Sequence, residues 1–253
     1  MLNPKLRYDR HRVPILSKEG IDVLGEAFVR DFNPEAMTEP SPLDVDRFVC
    51  DYLGLIQDFA YLSNDGRYLG MTIFNDTNRV IIYDPERNEA DYMPAQAGTV
   101  IIDNTLLEAS KERRYRFTMG HEGGHGILHS EFFACPPEWA DFEDTEREPV
   151  IQCRADGPSI LRRKSVAQWT PGDRMEWQAN RLSSALLMPR SMVYKLVRSL
   201  PQEKSVDFDI MAILTVADTF NVSNEAAQYR LLDFGLIRSR APIQTLLDFS
   251  DAI

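Results

Sequence analysis

Residues 117–129 read Phe-Thr-Met-Gly-His-Glu-Gly-Gly-His-Gly-Ile-Leu-His and hold three of the chain's four histidines. At the centre, His121-Glu122-Gly123-Gly124-His125 matches H-E-x-x-H. On a helix, residues four apart stand on one face. Two imidazoles so placed can grip one zinc ion, and Glu122 can then serve water as a general base. The pattern therefore demands a helix here and a further element that brings a third ligand. The glycines at 120, 123, 124 and 126 oppose it. Each costs about 1 kcal/mol relative to alanine in a helix interior. A chain that keeps them has small residues where another backbone or a ligand comes close. The expectation is a second helix or a substrate packed tightly against this one. The plain alternative is an ordinary helix with two surface histidines.

The third ligand is sought further along. Thr170-Pro171-Gly172-Asp173 reads as a helix start: Thr170 caps, Pro171 suits the first turn, and Asp173 reaches back. The helix then runs from Arg174 to Met188 and stops before Pro189. Met175, Ala179, Leu182 and Leu186 form its apolar stripe, with Glu176 beside it and Asn180 four residues on. Glu176 is the candidate third ligand. Asn180 is the candidate acceptor for the free N–H of a ligating histidine. His129 competes for the third position, since it shares the face of His121 and His125. A straight helix separates His121 from His129 by about 12 Å along its axis. Zinc–nitrogen bonds of about 2 Å cannot span that. His129 is therefore read as structural or as part of the cleft rim.

The remaining pattern is α+β: mainly helical, with a small, mostly antiparallel sheet. Ile21, Leu24, Phe28 and Phe32 recur at helical spacing behind Ser17 as a cap. Ser41-Pro42-Leu43-Asp44 reads as a second start, with Ser41 capping a helix to about Leu53. Phe59–Leu62, Tyr68–Phe74, Arg79–Tyr83 and Gly98–Ile102 are short apolar runs between turn residues, and so read as strands. An edge of that sheet beside the histidine helix could hold an extended peptide. Residues 130–170 are the least regular part, with an acidic run from Asp141 to Glu148 and a basic cluster at Arg162-Arg163-Lys164. Cys135 and Cys153, both within it, could flank a cleft and read as packing thiols, with a zinc-capping thiolate as the weaker alternative. Residues 1–200 are read as the catalytic domain and 201–253 as a C-terminal helical extension packed on it.

His121-Glu-x-Gly-His125 with Leu128-His129, followed by Glu176-Trp-Gln-Ala-Asn180 and Leu186-Leu187-Met188-Pro189, resembles the ImmA/IrrE family of bacterial zinc metallopeptidases. The resemblance covers roughly residues 40–237 and is strongest at 115–130 and 174–190. It implies a zincin-like fold, cytoplasmic action and cleavage of a specific protein partner, typically a helix-turn-helix repressor. It carries zinc binding to His121, His125 and Glu176, and the catalytic role to Glu122. Two features depart from the family pattern. Gly123 stands where a larger apolar residue is usual, and the stretch between the two motifs is long.

Charge bounds the partners. The net charge is −11, which disfavours phosphate backbones and anionic membranes. No apolar run approaches membrane-spanning length and the first residues lack an apolar signal core. Three cysteines fit a reducing compartment, and a cytoplasmic location is expected. Residues 215–230 resemble a DNA-reading helix-turn-helix that would offer Asn224, Gln228 and Arg230. Asp207, Asp209, Asp218, Glu225 and Asp233 surround it, so direct nucleic-acid binding is not expected. A zinc-stabilised protein that binds a regulator without cutting it is the remaining alternative. Tyr194, Arg181 and Tyr115 are the candidates for a donor to an oxyanion.

Overall fold

The computed structural model describes residues 1–134, 150–154, 165–201 and 206–238, with backbone alone at 150–154, 206 and 207. The first helix, α1 (Lys18–Phe32), starts where Ser17 accepts a hydrogen bond from the Gly20 N–H, and buries Ile21, Leu24 and Phe28. The second start is shifted. Asp44, not Ser41, caps α2 (Val45–Arg47), accepting from the Arg47 N–H, and the chain continues as a wide π-type turn over Phe48–Tyr52. Ser41 lies too early, because residues 38–44 do not yet follow the helical path.

The sheet has the order β1 (Ile56–Ala60), β5 (Thr99–Asp103), β2 (Tyr68–Ile73), β6 (Val150–Arg154). β1 pairs with β5 in parallel, while β2 is antiparallel to both β5 and β6. A separate hairpin joins β3 (Thr77–Asp84) to β4 (Glu89–Ala95), with Asn88 at φ 54° in its turn. Side chains alternate across a strand, and the two faces of this sheet enter two different cores. Val100 and Ile102 join the main core, whereas Met71, Ile73 and Ile101 pack with Val80 of the hairpin. The same alternation turns Gly70 and Thr72 to the helical side.

Two strands escaped the pattern reading. β4 is half-exposed and carries Pro94, which weakens any strand signal. β6 is five residues long and lies inside the stretch read as irregular. β1 begins three residues before the expected Phe59, with the polar Gln57 and Asp58 inside it.

Against the helical face runs α3 (Glu112–Leu128), followed by the short α4 (Ser130–Phe133). Next comes α5 (Pro171–Leu187), whose start has the expected chemistry. The Thr170 hydroxyl accepts from the Asp173 N–H, and the Asp173 carboxylate accepts from the Thr170 N–H. After it come α6 (Arg190–Ser199), α7 (Val206–Phe220) and α8 (Asn224–Asp233). Phe28, Phe48, Ile102, Met119, Leu182, Ile213 and Leu231 share one continuous apolar core. At about 25 cal/mol per Å2 of apolar surface, this burial is the main stabilising term. No helix among the described residues is long and apolar enough to cross a membrane. The acidic run and the basic cluster lie outside the described residues, as does Cys135; Cys153 stands on β6 opposite Gly70.

Candidate metal centre

The glycine-rich helix is held by contact on three sides. Thr118 to His125 are buried without a break, so α3 has no solvent face there. A Cβ on Gly124 would sit 3.4 Å from the Ala179 carbonyl oxygen, and one on Gly120 would lie 2.8 Å from Ser183 Oγ. These two glycines let α5 lie directly on α3, and the Ser183 hydroxyl donates to the Phe117 carbonyl across the seam at 2.9 Å. Gly123 and Gly126 face the other way, toward Val49 and Leu55. The expected close approach of a second helix is thus met at two glycines, and the chain after α2 fills the space at the others. This also accounts for Gly123: a larger residue would collide with Val49, whose Cγ2 is 2.9 Å from the Cβ position.

The close seam delivers the carboxylate. Glu176, three residues before Ala179, places Oε1 3.2 Å from His125 Nε2 and Oε2 3.5 Å from His121 Nε2. The two Nε2 atoms are 2.9 Å apart. One donor atom from each of the three residues lies within 4.8 Å of the others. Both histidines are fully buried, and Glu176 is 20% exposed. Burial lowers both imidazoles to about 3, with the Glu176 charge holding His121 up in part. Neutral rings keep their lone pairs, as a metal requires. Two nitrogens and a carboxylate oxygen are a fitting donor set for a divalent ion such as zinc.

Glu122 is fully buried and turns to the sheet. Thr72 Oγ1 donates to its Oε2 at 2.5 Å, while Oε1 has no hydrogen-bond partner among the described residues. Gly70 makes the room: a Cβ there would lie 2.6 Å from that Oε1. Burial pushes the Glu122 carboxyl well above its ordinary range. The Thr72 bond pulls it down, and the Glu176 charge adds to the rise.

Asn180 stands beside this group and donates to the Glu176 carbonyl at 2.8 Å. Its side chain also favours the protonated form of His121. It makes no well-directed bond to His121 Nδ1, which has no partner among the described residues. His129 is fully buried and so is not at a rim. It meets His125 ring to ring, with 2.8 Å between the Nδ1 atoms, and reaches Gln178 Oε1 at 3.0 Å.

The three oxyanion candidates are engaged elsewhere. Tyr194 donates to the Phe234 carbonyl, Arg181 bridges Asp22 and Asp233, and Tyr115 donates to Asp46. Sequence reasoning did not reach Thr72, Gly70 or Gln178. Thr72 and Gly70 carry only the signal of two small residues alternating in an apolar strand. Gln178 lies inside the second motif but gives no chemical hint of its own.

A buried pair of histidines and a carboxylate, gathered from two packed helices, is the donor set of a metal centre. A family model described as the IrrE N-terminal-like domain, peptidase M78, matches residues 157–232. Over that span the chain is similar to this metallopeptidase-like domain, which supports the ImmA/IrrE resemblance. The match takes in Glu176 and continues to α8, and it begins after His121 and His125. No curated protein matches the chain.

Proposed function

We propose that the protein is a zinc-dependent endopeptidase of zincin-like fold that cleaves a specific partner protein. The convergence of His121, His125 and Glu176 beside the unpartnered oxygen of Glu122 carries this reading. His121, His125 and Glu176 would hold the zinc. When bound, zinc supplies Lewis acidity to a carbonyl oxygen and to water. The chain's own residues do the rest. Thr72 fixes Oε2 of Glu122 and leaves Oε1 to take the proton of the attacking water. The raised basicity of the buried carboxylate favours that transfer. Oε1 then returns the proton to the leaving amine as the peptide C–N bond breaks. Substrate in extended form can pair with β6, the outer strand on the α3 side of the sheet among the described residues. In this reading residues 1–200 are the peptidase domain and 201–253 its helical extension. The partner class, a helix-turn-helix repressor in the cytoplasm, follows from the family resemblance.

Reading of DNA through 215–230 has less support, because Gln228 and Arg230 are only 4% and 3% exposed. Side chains that cannot leave the core cannot reach a base edge.

The test compares the wild type with Glu122→Gln. Both should carry about one zinc per chain. Glu122→Gln should cut a helix-turn-helix protein encoded beside it about 10^2- to 10^4-fold more slowly. Equal inactivation of that protein by the variant would rule out proteolysis and favour the non-cutting regulator binder.

A further inference from the structure

We propose that Pro14, Gln178 and His129 form a one-way hydrogen-bond relay that sets the tautomer of His125 and so aims its Nε2 lone pair at the metal. The proposal rests on the metal-centre reading above, and it makes His129 and Gln178 positioning residues.

The direction of the relay follows from its fixed end. The Pro14 carbonyl can only accept, and Gln178 Nε2 donates to it at 2.6 Å. That contact decides which way the Gln178 amide lies, because a flipped amide would press two acceptor oxygens together. Gln178 Oε1 therefore faces His129 Nε2 at 3.0 Å, and that nitrogen must carry the hydrogen. His129 is fully buried among neutral partners, so its ring is uncharged and Nδ1 is left as an acceptor. At 2.8 Å from it, His125 Nδ1 must be the donor. The one remaining position on His125, Nε2, then holds a lone pair, and this is the atom 3.2 Å from Glu176. No member can reverse without opposing two donors or two acceptors in a dry interior.

The anchoring is equally specific. His129 is the residue at which α3 ends, and its N–H still donates to the His125 carbonyl at 2.9 Å. Its place four residues after His125 sets the two rings together, with centroids 4.9 Å apart. Pro14 is buried, and a backbone bridge pairs it with Tyr8. The N-terminal segment thus reaches the metal centre through one carbonyl. His121 has no such relay behind it; the side chain that acts on it there is Asn180.

The experiment uses the full chain, metal-free, at pH 8, with 15N-labelled histidine. Long-range 15N–1H spectra should show His125 protonated at Nδ1 and His129 at Nε2. His129→Asn puts an acceptor oxygen where Nδ1 stood and should preserve the His125 tautomer. His129→Leu removes the acceptor and should move His125 toward the Nε2-protonated form. Gln178→Met should free the His129 tautomer in the same way. Competition titration with zinc should then show His129→Asn within about 3-fold of the wild type, and His129→Leu weakened about 10- to 100-fold. A wild-type His125 protonated at Nε2 would overturn the relay. So would a His129→Leu protein whose tautomer and zinc affinity match the wild type. A wild type with the expected tautomers that takes up no zinc would leave the relay standing and remove the metal reading instead.

Discussion

The molecule buries polar side chains at two helix pairs, and they are buried for opposite reasons. Between α8 and α1, Arg230 is 3% exposed yet fully engaged. Its Nη1 donates to Asp22 at 2.6 Å, Nε and Nη2 donate to the Met188 carbonyl, and the guanidinium lies over the Phe234 ring. Arg181 and Lys18 extend the network through Asp233. Between α3 and α5 the burial is as deep, but Glu122 Oε1 finds no partner among the described residues. A buried polar atom without a partner costs about 1–3 kcal/mol. Native folds keep few such atoms, and a catalytic or ligand-binding role is one of the reasons. Satisfied polarity in the first pair serves architecture, and unsatisfied polarity in the second is what a ligand would complete. The helix-turn-helix-like pattern and the H-E-x-x-H pattern are equally visible in the sequence. Partner satisfaction is what separates them.

Arg230→Ala should have the largest effect on the first region. It leaves Asp22 as a buried carboxylate without its main partner, and should cost about 3–5 kcal/mol of stability. Urea unfolding of the metal-free chain measures it. The folded variant should still bind about one zinc per chain. A cost no larger than that of a surface substitution would show that the network is not structural. Loss of metal from a folded variant would show that the two regions are not separate.

Gly70→Ala probes the other side. The added Cβ would fall 2.6 Å from Glu122 Oε1 and 2.8 Å from Thr118 Cγ2, so the carboxylate must move off Thr72. The candidate metal ligands His121, His125 and Glu176 are not among the groups that this Cβ meets. Peptide cleavage should fall about 100-fold, near 2.7 kcal/mol of barrier, with metal content unchanged. Wild-type activity in this variant would mean that the Thr72–Glu122 geometry does not govern proton transfer.

How much of this was legible in the chain follows from what each residue needs. His121, Glu122 and His125 declare themselves because one helical turn sets their spacing. Glu176 was accessible because Thr170 and Asp173 mark the start of its helix and so its register. The seam was legible in outline, since glycines in a helix imply a close neighbour. Which neighbour each glycine meets depends on the crossing of α3 with α5 and with the chain after α2, and no local pattern encodes that. Thr72 and the Pro14 carbonyl stand far from the motif in sequence and meet it only through tertiary packing. β4 and β6 were missed for a related reason. Their pairing partners, more than their own composition, make them strands.

Acid should separate the two polar regions as well. Burial depresses His121 and His125 to about 3, and His129 well below its ordinary value. In the unfolded chain each titrates near 6.5. Between those values the unfolded state binds protons that the native state refuses, so falling pH favours unfolding. Glu122 acts in the opposite sense: raised in the fold, it favours the native state as pH falls. Measurement in Glu122→Gln removes that term. Among the Arg230 partners, Asp233 is lowered because the bonds from Arg181 and Lys18 outweigh the rise that burial imposes. Its contribution is present above about 3.8 and is lost only as pH falls below that value. Metal-free Glu122→Gln should therefore begin to lose stability near pH 6.5, with a slope of at least one proton, about 1.4 kcal/mol per pH unit. The histidine centre should respond through this first window and the Asp233 network only in the second. A flat stability between pH 6.5 and 4.5 would mean that the three histidines are not held neutral by burial, and the distinction between the two polar regions would lose its electrostatic half.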